Sequence, residues 1–267
     1  MSTSDTQAGP SGIDTTVPHS ARIWNYWLGG KDNYQVDREA GDAYRRTVPD
    51  IDAVARASRY FLTRSIRHLA GEAGIRQFLD VGTGLPTVDN THEVAQRVAP
   101  TSKIVYVDND PLVLLHAQAL LTSVPEGATQ YIDADLHDPE TVLAGAARTL
   151  DFGRPTALIL SDVLGHVTDF EVARDIVRRL VGGLCPGSYL MLSHGAARDP
   201  ELIAAQDDYN DTGAVPYILR SPEQITSFFD GLDLLDPGVV PMPEWRPDVA
   251  VGDYPPSVGM GGVARVP

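Results

Sequence analysis

The chain has 267 residues, of which 43% are hydrophobic and 21% charged, which suits one large α/β domain and excludes wholesale disorder. A formal net charge of −15 repels phosphate backbones and argues against nucleic acid as a general substrate. A single cysteine, Cys185, rules out an intramolecular disulfide and cannot build a zinc site alone, and no stretch reaches the ~20 apolar residues of a membrane span.

Residues 1–20 are rich in Ser, Thr, Gly and Asp, with no basic start and no apolar core. They read as a flexible tail rather than a secretory signal, and the chain as a cytoplasmic protein. Ser20 is a candidate cap for a short segment, Ala21 to Leu28, that carries Trp24, Tyr26 and Trp27. A turn-rich stretch from Gly29 to Tyr34 follows. Val36 to Val48 reads as a helix broken by Pro49. Ile51, Val54, Ala55, Ser58, Phe61, Leu62, Ile66 and Leu69 recur at helical spacing, so Asp50 to Ala70 is a long amphipathic helix ended by Gly71 and Gly74. Residues 21–75 thus form an N-terminal helical cap, and 76–267 a second unit.

In that unit strands and helices alternate. Strands are expected at Gln77–Val81, Lys103–Asp108, Thr129–Asp133, Thr156–Ser161 and Ser188–Ser193. The helices between them are Val88–Val98, Pro111–Leu121, Pro139–Leu150 and Asp169–Leu180, followed by Pro200–Asn210 and Pro222–Phe229. Continuous apolar runs mark strands buried on both faces, and the alternation gives a doubly wound, mostly parallel sheet. Leu232–Val240 and Val258–Val266 close it as an antiparallel edge hairpin, joined through Pro241 to Pro256. That makes seven strands.

Ligands of such sheets bind beyond the carboxyl ends of the strands. The first strand leads into Asp80, Val81, Gly82, Thr83, Gly84, Leu85, Pro86 and Thr87, where the glycines permit a sharp turn and close approach to a ligand. Asp108 ends the second strand 24 residues after Gly84, near the ~20-residue spacing of an acid that accepts from ribose hydroxyls. Asp135 and Leu136 follow the third strand, where a carboxylate can meet an adenine amino group. A pyrophosphate would want glycine at position 87, which is Thr, and would be repelled by Asp80. A ligand with a cationic amino acid end suits Asp80 better, which favours S-adenosylmethionine over a nicotinamide dinucleotide.

These motifs, with Leu184, Cys185, Pro186 and Gly187 ahead of the fifth strand, resemble the class I S-adenosylmethionine-dependent methyltransferases. Arg22 to Tyr34, Phe78 to Thr87 and Val105 to Pro111 are more closely similar to an actinobacterial S-adenosyl methyltransferase family of unassigned substrate. The likeness spans most of residues 20–267. The family also reads Gly84, Leu85, Pro86, Thr87 where the general pattern has a third glycine at position 86. The resemblance implies a Rossmann-like fold and methyl transfer from S-adenosylmethionine. It implies that Asp80, Gly82, Thr83 and Gly84 line the methionine part and that Asp108 holds the ribose. Asn109, Asp135 and Leu136 would border the adenine, and Ser161, Asp162 and Val163 would lie beside the sulfur. The stretch around Lys31 and Asn33 is read as a cap over the cofactor, those two side chains touching its amino acid end and the aromatics excluding water.

A base is needed only where the acceptor loses a proton. His166 and His194 are candidates by position after the fourth strand and at the end of the fifth, and Tyr209 and Tyr217 lie in the following segment. No His, Asp and Glu grouping has metal spacing. The acidic charge and the aromatic cap favour a small-molecule methyl acceptor, neutral or cationic, with no nucleic acid and no membrane, and leave the oligomeric state open. The alternative reading is a non-catalytic cofactor-binding sensor or interaction module.

Overall fold

The computed structural model describes residues 14–120, 123–250, 252–256 and 258–267. Three helices precede the sheet: α1 (Ser20–Trp27), α2 (Gln35–Thr47) and α3 (Ile51–Gly71). His19, not Ser20, caps α1: its side chain accepts from Ala21 N, while Ser20 already belongs to the helix. Of the expected tail, residues 1–13 lie outside the described residues. From Asp14 the chain is held in place, because Arg22 donates to Asp14 O at 2.9 Å and to Val17 O at 2.5 Å. Arg22 also pairs with Asp37 at 3.0 Å, and both are buried, so the pair locks α1 to the start of α2.

The sheet contains β1 (Gln77–Val81), β2 (Lys103–Asp108), β3 (Ala128–Asp133), β4 (Ala157–Ser161), β5 (Tyr189–His194), β6 (Asp233–Leu234), β7 (Val240–Pro241) and β8 (Met260–Arg265). The helices between and after the first strands are α4 (Thr91–Val98), α5 (Pro111–Leu120), α6 (Pro139–Ala146), α7 (Phe170–Gly182), α8 (Pro200–Asn210) and α9 (Pro222–Ser227). Strand order is β3-β2-β1-β4-β5-β8-β6, with β7 also on β8. The first five strands are parallel, and β8 runs antiparallel to β5. The order reverses between β1 and β4, so the crevice for a ligand opens there.

The mostly parallel, doubly wound sheet with antiparallel strands at one edge is as expected, with three departures. The strand expected over Leu232–Val240 is two short strands, since Pro237 and Gly238 interrupt it (Gly238 has φ 91°) and proline cannot donate to a ladder. Among the described residues the sheet therefore has eight strands, and β8 lies inside it between β5 and β6. The helix expected from Val88 begins only at Thr91, because Asp89 has φ 59° and Asn90 with Glu93 forms a capping box. The helix expected to Leu150 stops at Ala146.

Strand residues alternate between two cores. Leu79, Val105, Leu158 and Leu190 pack toward α6 and α7, against Val142, Ile176 and Leu180. Phe78, Ile104, Ile159 and Met191 pack toward α3 and α4, against Phe61, Ile66 and Val94. At ~1.5–3 kcal/mol per large apolar side chain, these layers supply the main favourable term of folding. A third cluster joins Ile23, Trp27, Tyr44, Ile51 and Val54 of the N-terminal helices to Leu202, Ala205 and Tyr209 of α8. It holds the helices over the carboxyl ends of the strands.

Candidate active site

A cavity of about 420 Å³ lies at the carboxyl ends of β1, β2 and β4, between α1, α3 and α8. Asp80, Gly82, Thr83, Gly84, Asp108, Asn109, Asp135, Leu136, Ser161, Asp162 and Val163 all line it, as do His166, Tyr209 and Tyr217. Residues 80–166 meet there because each parallel strand delivers its last residues to the same end of the sheet, while α8 and the segment after it add Tyr209 and Tyr217.

The loop after β1 forms the floor. Gly82 has φ 73°, and a Cβ on it would sit 2.1 Å from Val163 Cγ2, so only glycine lets β1 and β4 close at this point. Asp108 Oδ2 accepts from Gly84 N at 2.8 Å and its Oδ1 from Asp110 N at 3.0 Å. These bonds pin the glycine loop, while burial pushes the Asp108 carboxyl above the usual range. Asp80 accepts from Thr91 Oγ1 at 2.5 Å, and burial pushes it up to about 6. Beside Asp108, the Tyr131 hydroxyl lines the cavity and has no partner. Asp135 is exposed, with Oδ1 held by His137 at 2.8 Å.

At the end of β4, Asp162 has φ 55° and accepts from Ser58 Oγ at 2.5 Å and Ser193 Oγ at 3.1 Å. Ser161 and Ser193 are 3.2 Å apart. A 3₁₀ turn, Leu164–His166, then presents His166 to the cavity. His166 Nδ1 donates to Pro216 O at 2.9 Å, which leaves Nε2 as a free lone pair, and burial lowers its pKa so that the ring is neutral near pH 7. The Tyr217 hydroxyl accepts from Gly195 N at 3.0 Å, and burial holds it protonated.

Three of the sequence candidates fall outside the cavity lining. His194 is fully buried; its Nδ1 donates to Gly195 O at 2.9 Å and its Nε2 accepts from Arg220 at 2.6 Å, so it has no lone pair for a substrate. Lys31 is exposed. The Asn33 amide is spent on Asn25 Oδ1 at 3.1 Å, Gly30 O at 3.0 Å and Arg38 at 3.1 Å. The cap instead presents Trp24, Asn25 and Trp27 of α1, and Leu28 just after it, to the cavity.

Sequence reasoning also missed Ser58 and Arg59 of α3. The signal was a serine inside the apolar stripe of that helix. Arg59 lines the cavity and is anchored to Thr87 Oγ1, to Val88 O at 3.2 Å and to Asn90 Oδ1 at 3.4 Å. Among the described residues no carboxylate lies within ion-pair distance of it, although it attracts Asp80 through space.

A switch-point cavity with a glycine floor and acids at successive strand ends defines a nucleoside-binding α/β protein. A family model described as S-adenosyl methyltransferase matches residues 6–267, and the chain belongs to that family. It is an S-adenosylmethionine-dependent methyltransferase of Rossmann-like fold. It is similar to a DUF574 family protein from Streptomyces avermitilis, with 46% identity and TM-score 0.91 over 95% of this chain and 99% of that one. It is also similar to a candidate methyltransferase from Thermobifida fusca, with 39% identity and TM-score 0.89 over 98% and 99%. An O-methyltransferase family 2 protein from Planctomyces limnophilus shares the fold, with 17% identity and TM-score 0.50 over 91% and 65%. No curated protein matches the chain. No helix among the described residues is long and apolar enough to cross a membrane.

Proposed function

We propose that the cavity holds the cofactor with its amino acid end between Asp80 and Arg59 and delivers its methyl group to a small-molecule acceptor. The carrying observation is that Asp80 and Arg59 line one cavity with opposite charges and no direct ion pair. An ammonium suits the carboxylate and a carboxylate suits the guanidinium, so a zwitterion completes both. Asp108 and the unpartnered Tyr131 hydroxyl suit the ribose, and Asn109, Asp135 and Leu136 the adenine. Gly82, Thr83 and Gly84 form the floor under the methionine part, with Ser161, Asp162 and Val163 toward the sulfur. The bound cofactor supplies a methyl group on a sulfonium, a good leaving group.

The remaining lining is mostly aromatic and apolar: Trp24, Trp27, Tyr44, Tyr209, Tyr217 and Leu219. These walls exclude water and suit a small acceptor with an apolar body, and the charge of −15 disfavours a polyanion. His166 Nε2 takes the proton of an acceptor hydroxyl or amine. The Planctomyces protein of like fold is described in complex with apigenin, which agrees with a small-molecule acceptor.

Calorimetric titration with S-adenosylhomocysteine tests the cofactor pose. R59A and D80N should each weaken binding at least ~10-fold, the scale of one charge-assisted contact. Unchanged affinity in both overturns it. With labelled donor and a panel of aromatic hydroxyl compounds, H166A should lower turnover ~10²–10⁴-fold at unchanged cofactor affinity.

A further inference from the structure

A second cavity, of about 340 Å³, lies at the opposite end of the sheet, where β1 and β5 begin and β8 ends. Three arginines line it: Arg76, Arg154 and Arg265. In a chain with 36 acids against 21 basic residues, none of the three is in an ion pair among the described residues, although Asp233 stands opposite Arg265 in the β6–β8 register. Other arginines of the chain do pair with carboxylates, as Arg22 with Asp37, Arg67 with Asp248 and Arg179 with Glu140.

The pocket is shaped as well as charged. Arg76 Nη1 donates to Ala70 O at 2.7 Å and Ile75 O at 2.8 Å, which fixes its guanidinium at the end of α3. Gln77 donates to Arg154 O at 3.3 Å and to Asp151 O at 2.8 Å, which fixes the backbone that carries Arg154. Tyr189 pairs with Arg265 in the β5–β8 register. A Cβ on Gly187 (φ 84°) would sit 3.8 Å from Arg265 Nη2 and 3.6 Å from Pro155 Cγ, so the guanidinium lies along a tight turn. The guanidinium groups of Arg154 and Arg265 donate no hydrogen bond to any described residue, while the Arg154 backbone N–H donates to Asp151 O at 2.9 Å. Their forked N–H groups are therefore free for planar oxyanion recognition.

We propose that this arginine pocket binds a phosphate-bearing small molecule with at least two negative charges, at a site separate from the methyl-transfer cavity. Three guanidiniums lining one cavity suit a multivalent oxyanion, which can form charge-assisted bonds to more than one of them. Tyr189 and Pro155 provide apolar contact for the organic part of a phosphate ester. The volume admits a small molecule of this kind.

The probe is inorganic pyrophosphate, titrated into the full-length protein by calorimetry at low salt with S-adenosylhomocysteine present. The expected result is saturable binding that is tighter than for inorganic phosphate and weakens as sodium chloride is raised. R154Q and R265Q should each weaken binding at least ~10-fold, and R265K should retain more affinity than R265Q. Both positions are exposed, and unchanged melting temperatures confirm folding of the variants. Absence of saturation at millimolar pyrophosphate overturns the proposal, and so does equal affinity in the wild type and both glutamine variants. Neither outcome bears on the cofactor pose, which rests on Asp80 and Arg59.

Discussion

His194 Nε2 accepts a hydrogen bond from Arg220 Nη1 at 2.6 Å, inside a core where both residues are almost wholly buried. Arg220 also donates to Leu164 O at 2.8 Å and Val167 O at 2.6 Å, so it ties the end of β5 to the turn that carries His166. The histidine is thus a structural acceptor. Burial pushes it down to about 3, against ~6.5 in an unfolded chain. Between those values the unfolded state binds a proton that the folded state refuses. His194 therefore contributes stability that is complete above about pH 6.5 and is lost as pH falls toward 3. H194A should flatten that part of the profile. At pH 7.5 it should cost ~1–3 kcal/mol in urea denaturation, because a buried donor loses its partner.

Asp80 has the opposite sign. Its folded carboxyl sits near 6, above the unfolded ~3.9, so its contribution is present below about pH 3.9 and lost as pH rises through 6. An ammonium ligand needs the ionised form. Cofactor affinity should accordingly rise ~10-fold between pH 5 and pH 7 in calorimetry. D80N should bind more weakly at pH 7 and show no such rise. A pH-independent wild type would remove Asp80 from the ammonium site.

Gly82 and Val163 form a steric pair. G82A should weaken S-adenosylhomocysteine binding at least ~10-fold, by misplacing the floor loop that the ligand must touch. Adding V163A removes the nearest obstacle, 2.1 Å from the new Cβ, and should restore part of the affinity. The positive φ remains, at ~1–2 kcal/mol for a non-glycine residue, so recovery should stay incomplete in thermal melts as well. Full binding by G82A alone would contradict the packing argument.

The cap yields a ranked series. Asn25 lines the cavity, and its Oδ1 is held by Asp32 N and Asn33 Nδ2, both at 3.1 Å. N25A should weaken cofactor binding most, N33A less because it only releases Asn25, and K31A not at all. Calorimetry under one condition checks the order, and a K31A loss as large as that of N25A would refute it.

Part of the protein was legible from local pattern. Strands buried on both faces declare themselves as apolar runs, as in Ile104 to Val107. The Gly82–Gly84 turn and the acids at positions 80, 108 and 135 sit at strand ends whose convergence follows from parallel topology alone. Most element boundaries follow from proline and glycine, which act within a few residues of themselves.

What the tertiary structure decided depends on partners distant in sequence. Ser58 meets Asp162 across 104 positions, and α3 thereby brings Arg59 to the cavity. No local signal separates His166 from His194: one follows a strand closely and the other ends one, yet one lone pair faces the cavity and the other faces Arg220. Lys31 and Asn33 lie in the right motif, but the turn directs its amide bonds inward and α1 supplies the lining. The insertion of β8 beside β5 was likewise outside local reach, because strand order is set by which edges and apolar faces find each other after the chain has turned back.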